Sequence, residues 1–186
     1  MSGMEYELIR TRRKSICAQI KDGRLIVRAP LHISESEIER FLLKHKDWID
    51  KHLSRAEERQ SVAAYTIKLT PEELRALMDE ARIVIPARVA HYAPLVGVTY
   101  KSVTIRAQKS RWGSCSTNGN LSFNCLLLLA PPEVLDSIVV HELCHRKQMN
   151  HSPRFYKEVL RVYPDYFKYR KWLKENAYLL FAKLGK

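Results

Sequence analysis

The chain lacks most of the features that mark membrane, secreted or fibrous proteins. Its longest apolar runs, such as CLLLLAPP at residues 125–132, fall far short of the roughly 20 residues a bilayer span requires. The opening MSGMEYELIRTRRKS has no apolar h-region, so no secretory leader is expected. There is no low-complexity tract and no internal repeat, which sets aside linkers and solenoids. The cysteines Cys17, Cys115, Cys125 and Cys144 contain no CxxC pair, which excludes a zinc knuckle and a dithiol redox motif. Their expected role is that of small buried hydrophobes in a reducing compartment. A cytoplasmic protein with no membrane partner is the expectation.

Acidic residues are also scarce, with 20 Asp and Glu against 32 Lys and Arg and a net charge of +12. The excess is uneven. RTRRK at residues 10–14 is basic, Lys101 to Arg111 holds four basic residues and no acid, and the chain after His145 is strongly cationic. Such a surface keeps a protein in solution, or it meets an anionic partner such as nucleic acid or a phosphorylated small molecule. What remains is ordinary globular material: 186 residues, 46% apolar and 28% charged, enough for one core and a small appendage.

Residues 14–29, KSICAQIKDGRLIVRA, alternate around Asp22-Gly23 and predict a hairpin closed by a two-residue turn. Ser34 and Glu37 form a capping box before a helix carrying Ile38, Phe41, Leu42, Trp48, Ile49 and Leu53. His45 and His52 lie on that helix without a matching carboxylate and read as structural. The polar stretch SRAEERQSVAA predicts a helix tail and linker, dividing an N-terminal hairpin-and-helix module (1–60) from a core domain (61–186). Thr70-Pro71-Glu72-Glu73 opens a second helix, expected to pause at Pro86 and end near Tyr92. Residues 98–107 alternate as a strand. The loop QKSRWGSCSTNGN leads to a second strand, LSFNCLLLL, with Ser122 and Asn124 on one face. Beside an active helix, such a strand suits an extended substrate held by strand addition. Helices then start at Pro131-Pro132, Ser152-Pro153 and Pro164. The order gives an α+β class, with a small antiparallel sheet packed on the helix from Pro132 and with C-terminal helices.

That helix carries HELCHRKQMNH. Histidines at i and i+4 share one helical face, with Cβ atoms about 5–6 Å apart, so His141 and His145 reach one metal ion. Glu142 projects about 100° round the helix, where it can take a proton from a metal-bound water as general base. His141 and His145 continue the core-facing ridge of Val134 and Ile138, while Glu142 continues the adjacent one. An inward carboxylate without a partner is costly, and a metal with its water would supply one. On a continuing helix His151 would face away from the ion. Asn150 tolerates a left-handed cap, and Ser152-Pro153 is an N-cap followed by proline, so a helix end is expected before His151. Glu158 is the rival third ligand. A catalytic zinc takes three protein ligands and keeps one open position.

Beyond the zinc motif, RWGSC after a basic loop, an Asn in the following strand, NHSPRF and PDY…R.WL together resemble the YgjP-like family of metal-dependent hydrolases, also described as a zinc metallopeptidase domain. DGRLIVRAP and the helix with Trp48-Ile49 extend the resemblance over nearly the whole chain. It implies a zincin-like core, one zinc per chain on His141, His145 and His151, and Glu142 as the catalytic acid/base. Family members are described both as peptidases and as nucleoside triphosphate pyrophosphohydrolases, so a peptide or a nucleotide is the expected substrate. A basic nucleic-acid-associated module with a structural zinc is the third reading, disfavoured because a closed structural site would want a fourth ligand in place of Glu142. Arg111, Ser114 and Asn124 are the candidate substrate-binding residues. Tyr156 and Tyr163 are possible oxyanion donors whose default role is core packing, and Cys144 reads as packing.

Overall fold

The computed structural model describes residues 4–21 and 23–185, and the chain divides into two compact units, one up to Tyr65 and one from Thr66. No helix among the described residues is long and apolar enough to cross a membrane.

In the first unit, β2 (Cys17–Lys21) and β3 (Arg24–Pro30) pair antiparallel, with Lys21 opposite Arg24. Gly23 takes the positive φ of +76° that such a tight turn demands; its predicted turn partner Asp22 lies outside the described residues. A strand the sequence pattern does not announce, β1 (Glu7–Thr11), pairs parallel to β3 on its other edge. Leu25, Val27 and Ala29, on one face of β3, pack on Ile38, Leu42 and Ile49. The last three come from α1 (Glu35–Lys44), which has its Ser34/Glu37 capping box, and α2 (Lys46–Ala64). His45 caps α1 and packs edge-on to Phe41, while His52 bonds the Trp48 carbonyl. Both imidazoles therefore have local structural partners.

The second unit begins with α3 (Pro71–Val96), N-capped by Thr70 with Glu73. Contrary to the expected pause at Pro86 and end near Tyr92, α3 runs through Pro86 and Pro94 to Gly97, whose φ of +79° closes it. A mid-helix proline costs about 3 kcal/mol. Here Leu77, Ala81, Ile85, Val89, Tyr92, Ala93 and Val96 are all buried, and several large side chains at roughly 1.5–3 kcal/mol each outweigh that penalty. Local punctuation loses to packing.

The second sheet has the order β4-β6-β5, from β4 (Ser102–Arg106), β5 (Gly113–Cys115) and β6 (Asn120–Asn124). The α+β class is as expected, but the sheet is mixed rather than antiparallel. β5 and β6 form a hairpin, while β4 runs parallel to β6. RWGSC, read as loop, supplies β5. The strand expected through Leu129 stops at Asn124, because the Asn124 Oδ1 accepts the Leu126 N–H and starts a 3-10 helix over Cys125–Leu129.

α4 (Pro132–Cys144) is buried at ten of its thirteen residues, as befits a helix apolar on nearly every side. It is followed by α5 (Pro153–Val162) and α6 (Tyr166–Ala182). Its buried Asp136 is held by Arg88 of α3, whose Nε donates to Oδ1 at 2.6 Å and whose second nitrogen donates to Oδ2, and by the Tyr92 hydroxyl at 3.1 Å. Removing one partner of such a pair strands a buried charge. Arg88→Met is expected to lower unfolding free energy by about 3 kcal/mol, measured by urea titration. Arg82→Met at the exposed Asp79 pair should change it by less than about 1 kcal/mol.

Candidate metal centre

The site forms where α4 stops. His141 lies in its last turn and His145 is its C-cap, so the i, i+4 pair survives with the Nε2 atoms 3.2 Å apart. The helix ends at Cys144, earlier than a stop at Asn150 would place it. Tight turns satisfy its last carbonyls: Arg146 N–H bonds Leu143 O, and Lys147 and Gln148 N–H both bond Cys144 O. Asn150 acts differently from the cap expected of it, its side-chain oxygen accepting the Ser152 N–H at 3.3 Å. The chain thus reverses over residues 145–152 without glycine. Ser152 then caps α5 by accepting from Phe155 N–H, with Pro153 in its first turn.

This turn carries His151 back until its Nε2 lies 3.1 Å from that of His141. The three histidines form a cluster whose ligand atoms lie within 4.8 Å of one another. Four-coordinate zinc with Zn–N bonds of about 2.0–2.1 Å separates its nitrogens by about 3.4 Å, so two of the three pairs already stand close to that spacing. The outer ring nitrogens of His141 and His145 are engaged. His145 Nδ1 donates to the Gln148 carbonyl at 3.0 Å, and His141 Nδ1 meets the Tyr166 hydroxyl at 2.8 Å. These bonds fix the two ring planes and turn the Nε2 atoms toward one another, and with Nδ1 as the donor in each they leave Nε2 free to bind a metal. Burial, with the neighbouring rings adding to it, holds His141 far below its ordinary range, down to about 3, and burial also lowers His145. Three ring nitrogens turned together could hold a cation, and the donor set suits a divalent one.

Phe155 forms the floor beneath the rings. It is fully buried, stacks on His145 at 4.5 Å, and meets His141 and His151 edge-on at 4.9 and 5.0 Å. Glu142 stands beside them, only 6% exposed. Among the described residues its carboxylate has neither a hydrogen-bond nor an ion-pair partner, and burial raises it to about 8. Its side chain lies against Gly113 of β5, where an added Cβ would come within 2.7 Å of Glu142 Cγ and Oε1. Only glycine leaves room for the carboxylate there.

A cleft of about 730 Å³ opens at His141 and Glu142, between the 110–113 segment and α6. Arg111 is exposed and lines it. Ser114 does not belong there. It pairs with Ser122, whereas Gly113 and Cys115 alternate to the face that Glu142 covers, so Ser114 points to the opposite face of the sheet. Asn124 is not available to a substrate either. It is fully buried, and its amide donates to the Gln108 and Arg111 carbonyls at 2.6 and 3.0 Å, fixing the basic loop. Glu158 is not in the histidine cluster and is paired with Lys147 at 3.0 Å and Arg161 at 3.3 Å. Tyr163 bonds the Glu133 carbonyl, while Tyr156 stacks toward His151 at 6.2 Å. Cys144 is fully buried, as packing requires.

Sequence reasoning misses Tyr166, Phe155, Gly113 and Arg170 as contributors. All four lie in quoted stretches, Tyr166 and Arg170 in PDY…R.WL, Phe155 in NHSPRF and Gly113 in RWGSC, so the segments carry a signal that does not single out those residues.

A family model described as YgjP-like, metallopeptidase domain, matches residues 14–74 and 68–176. No curated protein matches. Among solved structures, the metallopeptidase zymogen abylysin of Pyrococcus abyssi is similar at 23% identity, covering 49% of this chain and 93% of its own, with a TM-score of 0.45. The metallopeptidase zymogen jannalysin of Methanocaldococcus jannaschii is similar at 22% identity, covering 48% and 95%, with a TM-score of 0.41.

Tyr166→Phe removes the hydroxyl on His141 Nδ1 and nothing else. Competition with a chromogenic chelator should show affinity for a divalent metal weakened by about 10–100-fold, with the far-ultraviolet circular dichroism unchanged.

Proposed function

Because the chain belongs to the YgjP-like metallopeptidase family, we propose that it is a zinc-dependent hydrolase of peptide bonds, with His141, His145 and His151 holding one zinc through Nε2. The observation that carries this reading is the meeting of three imidazole nitrogens beside a buried carboxylate that has no protein partner. Among the described residues the cluster has no fourth histidine, cysteine or carboxylate, which favours an open catalytic site over the closed structural one of a nucleic-acid module.

When bound, the metal supplies Lewis acidity that polarises the scissile carbonyl and lowers the pKa of an adjacent water. Glu142 takes a proton from the attacking water as the carbon–oxygen bond forms. It delivers that proton to the leaving nitrogen as the carbon–nitrogen bond breaks. A cation held at the histidines would favour the charged carboxylate that burial alone disfavours, and Gly113 sets how closely the carboxylate approaches the sheet.

β5 is an edge strand, and its antiparallel ladder with β6 leaves the Gly113 and Cys115 backbone groups facing away from β6. An extended peptide pairing there by strand addition would run past Glu142. Arg111, at the mouth of the same cleft, is the remaining substrate-binding candidate from the sequence.

The alternative substrate, a nucleoside triphosphate, draws support from the cations that line the cleft. A nucleotide panel run beside generic peptides separates the two, and release of phosphate or pyrophosphate without peptide cleavage would discard the peptidase reading.

Elemental analysis should find about one zinc per chain in the wild type and loss of it in His145→Ala. Glu142→Gln should retain the metal while kcat falls by about 10²–10⁴-fold; undiminished turnover would remove Glu142 as the base. Gly113→Ala should also keep the metal and lose roughly 100-fold in kcat/KM, the scale of a misplacement near 1 Å.

A further inference from the structure

One wall of the cleft is built from a single helix face. α6 presents Arg170, Lys171 and Lys174 to it, and Arg111 lines it from the 110–113 segment. Residues three and four apart on a helix are neighbours, so Lys174 stands beside both Lys171 and Arg170. Like charges at that spacing repel and weaken the helix. Some cations of this unit meet acids, among them Arg88 with Asp136, Arg82 with Asp79, and Lys147 and Arg161 with Glu158. The four cleft cations have no such partner among the described residues, and Glu142 is the only acid lining the cleft. Arg170 is placed rather than loose, its guanidinium lying 5.9 Å from the centre of the Tyr156 ring. Between the cationic walls the floor is apolar, formed by Trp112, Ile138 and Leu173. A concave surface lined by one sign of charge focuses its field on whatever enters.

We propose that this cleft selects peptides bearing acidic side chains, the aliphatic stem of a glutamate or aspartate resting on the apolar floor and its carboxylate meeting Arg111, Arg170, Lys171 and Lys174. The proposal rests on the peptidase reading of the same site. A peptide fits both features of the cleft: its backbone extends the free edge of β5 while its side chain reaches the cations. A nucleotide could set its base on the same floor and its phosphates on the cations, but it leaves the β5 edge unpaired.

The test compares matched fluorogenic peptides that differ only by Glu or Gln at positions flanking the scissile bond, cleaved by the zinc-loaded full chain. The acidic member should have the higher kcat/KM by on the order of tenfold at low salt, with the ratio shrinking as salt screens the contact. In Lys171→Gln/Lys174→Gln the ratio should fall toward one, a readout that a general loss of folded protein does not move. Binding of the same peptides to zinc-loaded Glu142→Gln, read by fluorescence anisotropy, reports selection without turnover. Acidic peptides that bind preferentially there but are not cleaved by the wild type would support the selection while discarding the peptidase reading. Equal handling of Glu and Gln peptides in both assays would overturn the proposal. So would displacement of the acidic peptide by a nucleoside triphosphate that the enzyme then hydrolyses.

Discussion

A helix buried on almost every side leaves no neutral place for a polar group, and the second unit is organised around that constraint. α4 carries Asp136, Ser137, Glu142 and His145 in its buried set. A buried polar atom must find a partner or cost free energy. Asp136 finds Arg88 and Tyr92 across the helix interface, and Ser137 returns its hydroxyl to the Val134 carbonyl one turn back. Those two groups are thereby structural. At the far end of the helix His145 has a partner for its outer nitrogen only, and the Glu142 carboxylate has none among the described residues. The division between scaffold and site thus follows from which buried groups the protein itself satisfies.

Three separate devices aim the histidines. The helix sets the spacing of His141 and His145, the capped start of α5 brings back His151, and α6 supplies the Tyr166 hydroxyl that turns the His141 ring. Phe155 lies against all three rings. No single element holds the cluster, so its geometry reports the packing of α4, α5 and α6 together.

The histidine cluster is legible in the sequence because its information is local: an i, i+4 pair, then a cap and a proline that start a new helix. The carboxylate beside it is equally local. What escapes sequence reading depends on long-range register. β1 and β5 are short strands whose identity comes from pairing with β3 and β6, and nothing in ELIRT or GSC announces it. Ser114 fails as a site residue by one step of strand alternation, which places its neighbour Gly113 under Glu142 instead. Asn124 fails because its capping and loop-fixing bonds are invisible until the chain folds. α3 passes through two prolines because a row of buried side chains outweighs local propensity, and no local rule contains that sum.

The turn that joins the second and third histidines contains no glycine. Arg146 bonds the Thr99 and Thr117 carbonyls, Lys147 pairs with Glu158, the Gln148 carbonyl accepts from His145, and Asn150 holds Ser152. Its conformational entropy is surrendered when the chain folds, not when an ion arrives. A zinc finger, by contrast, folds on its metal and unfolds without it. Here the turn is shaped by bonds that involve no ion, so the place where the three rings meet depends on Arg146 and Lys147, neither of which touches a ligand nitrogen.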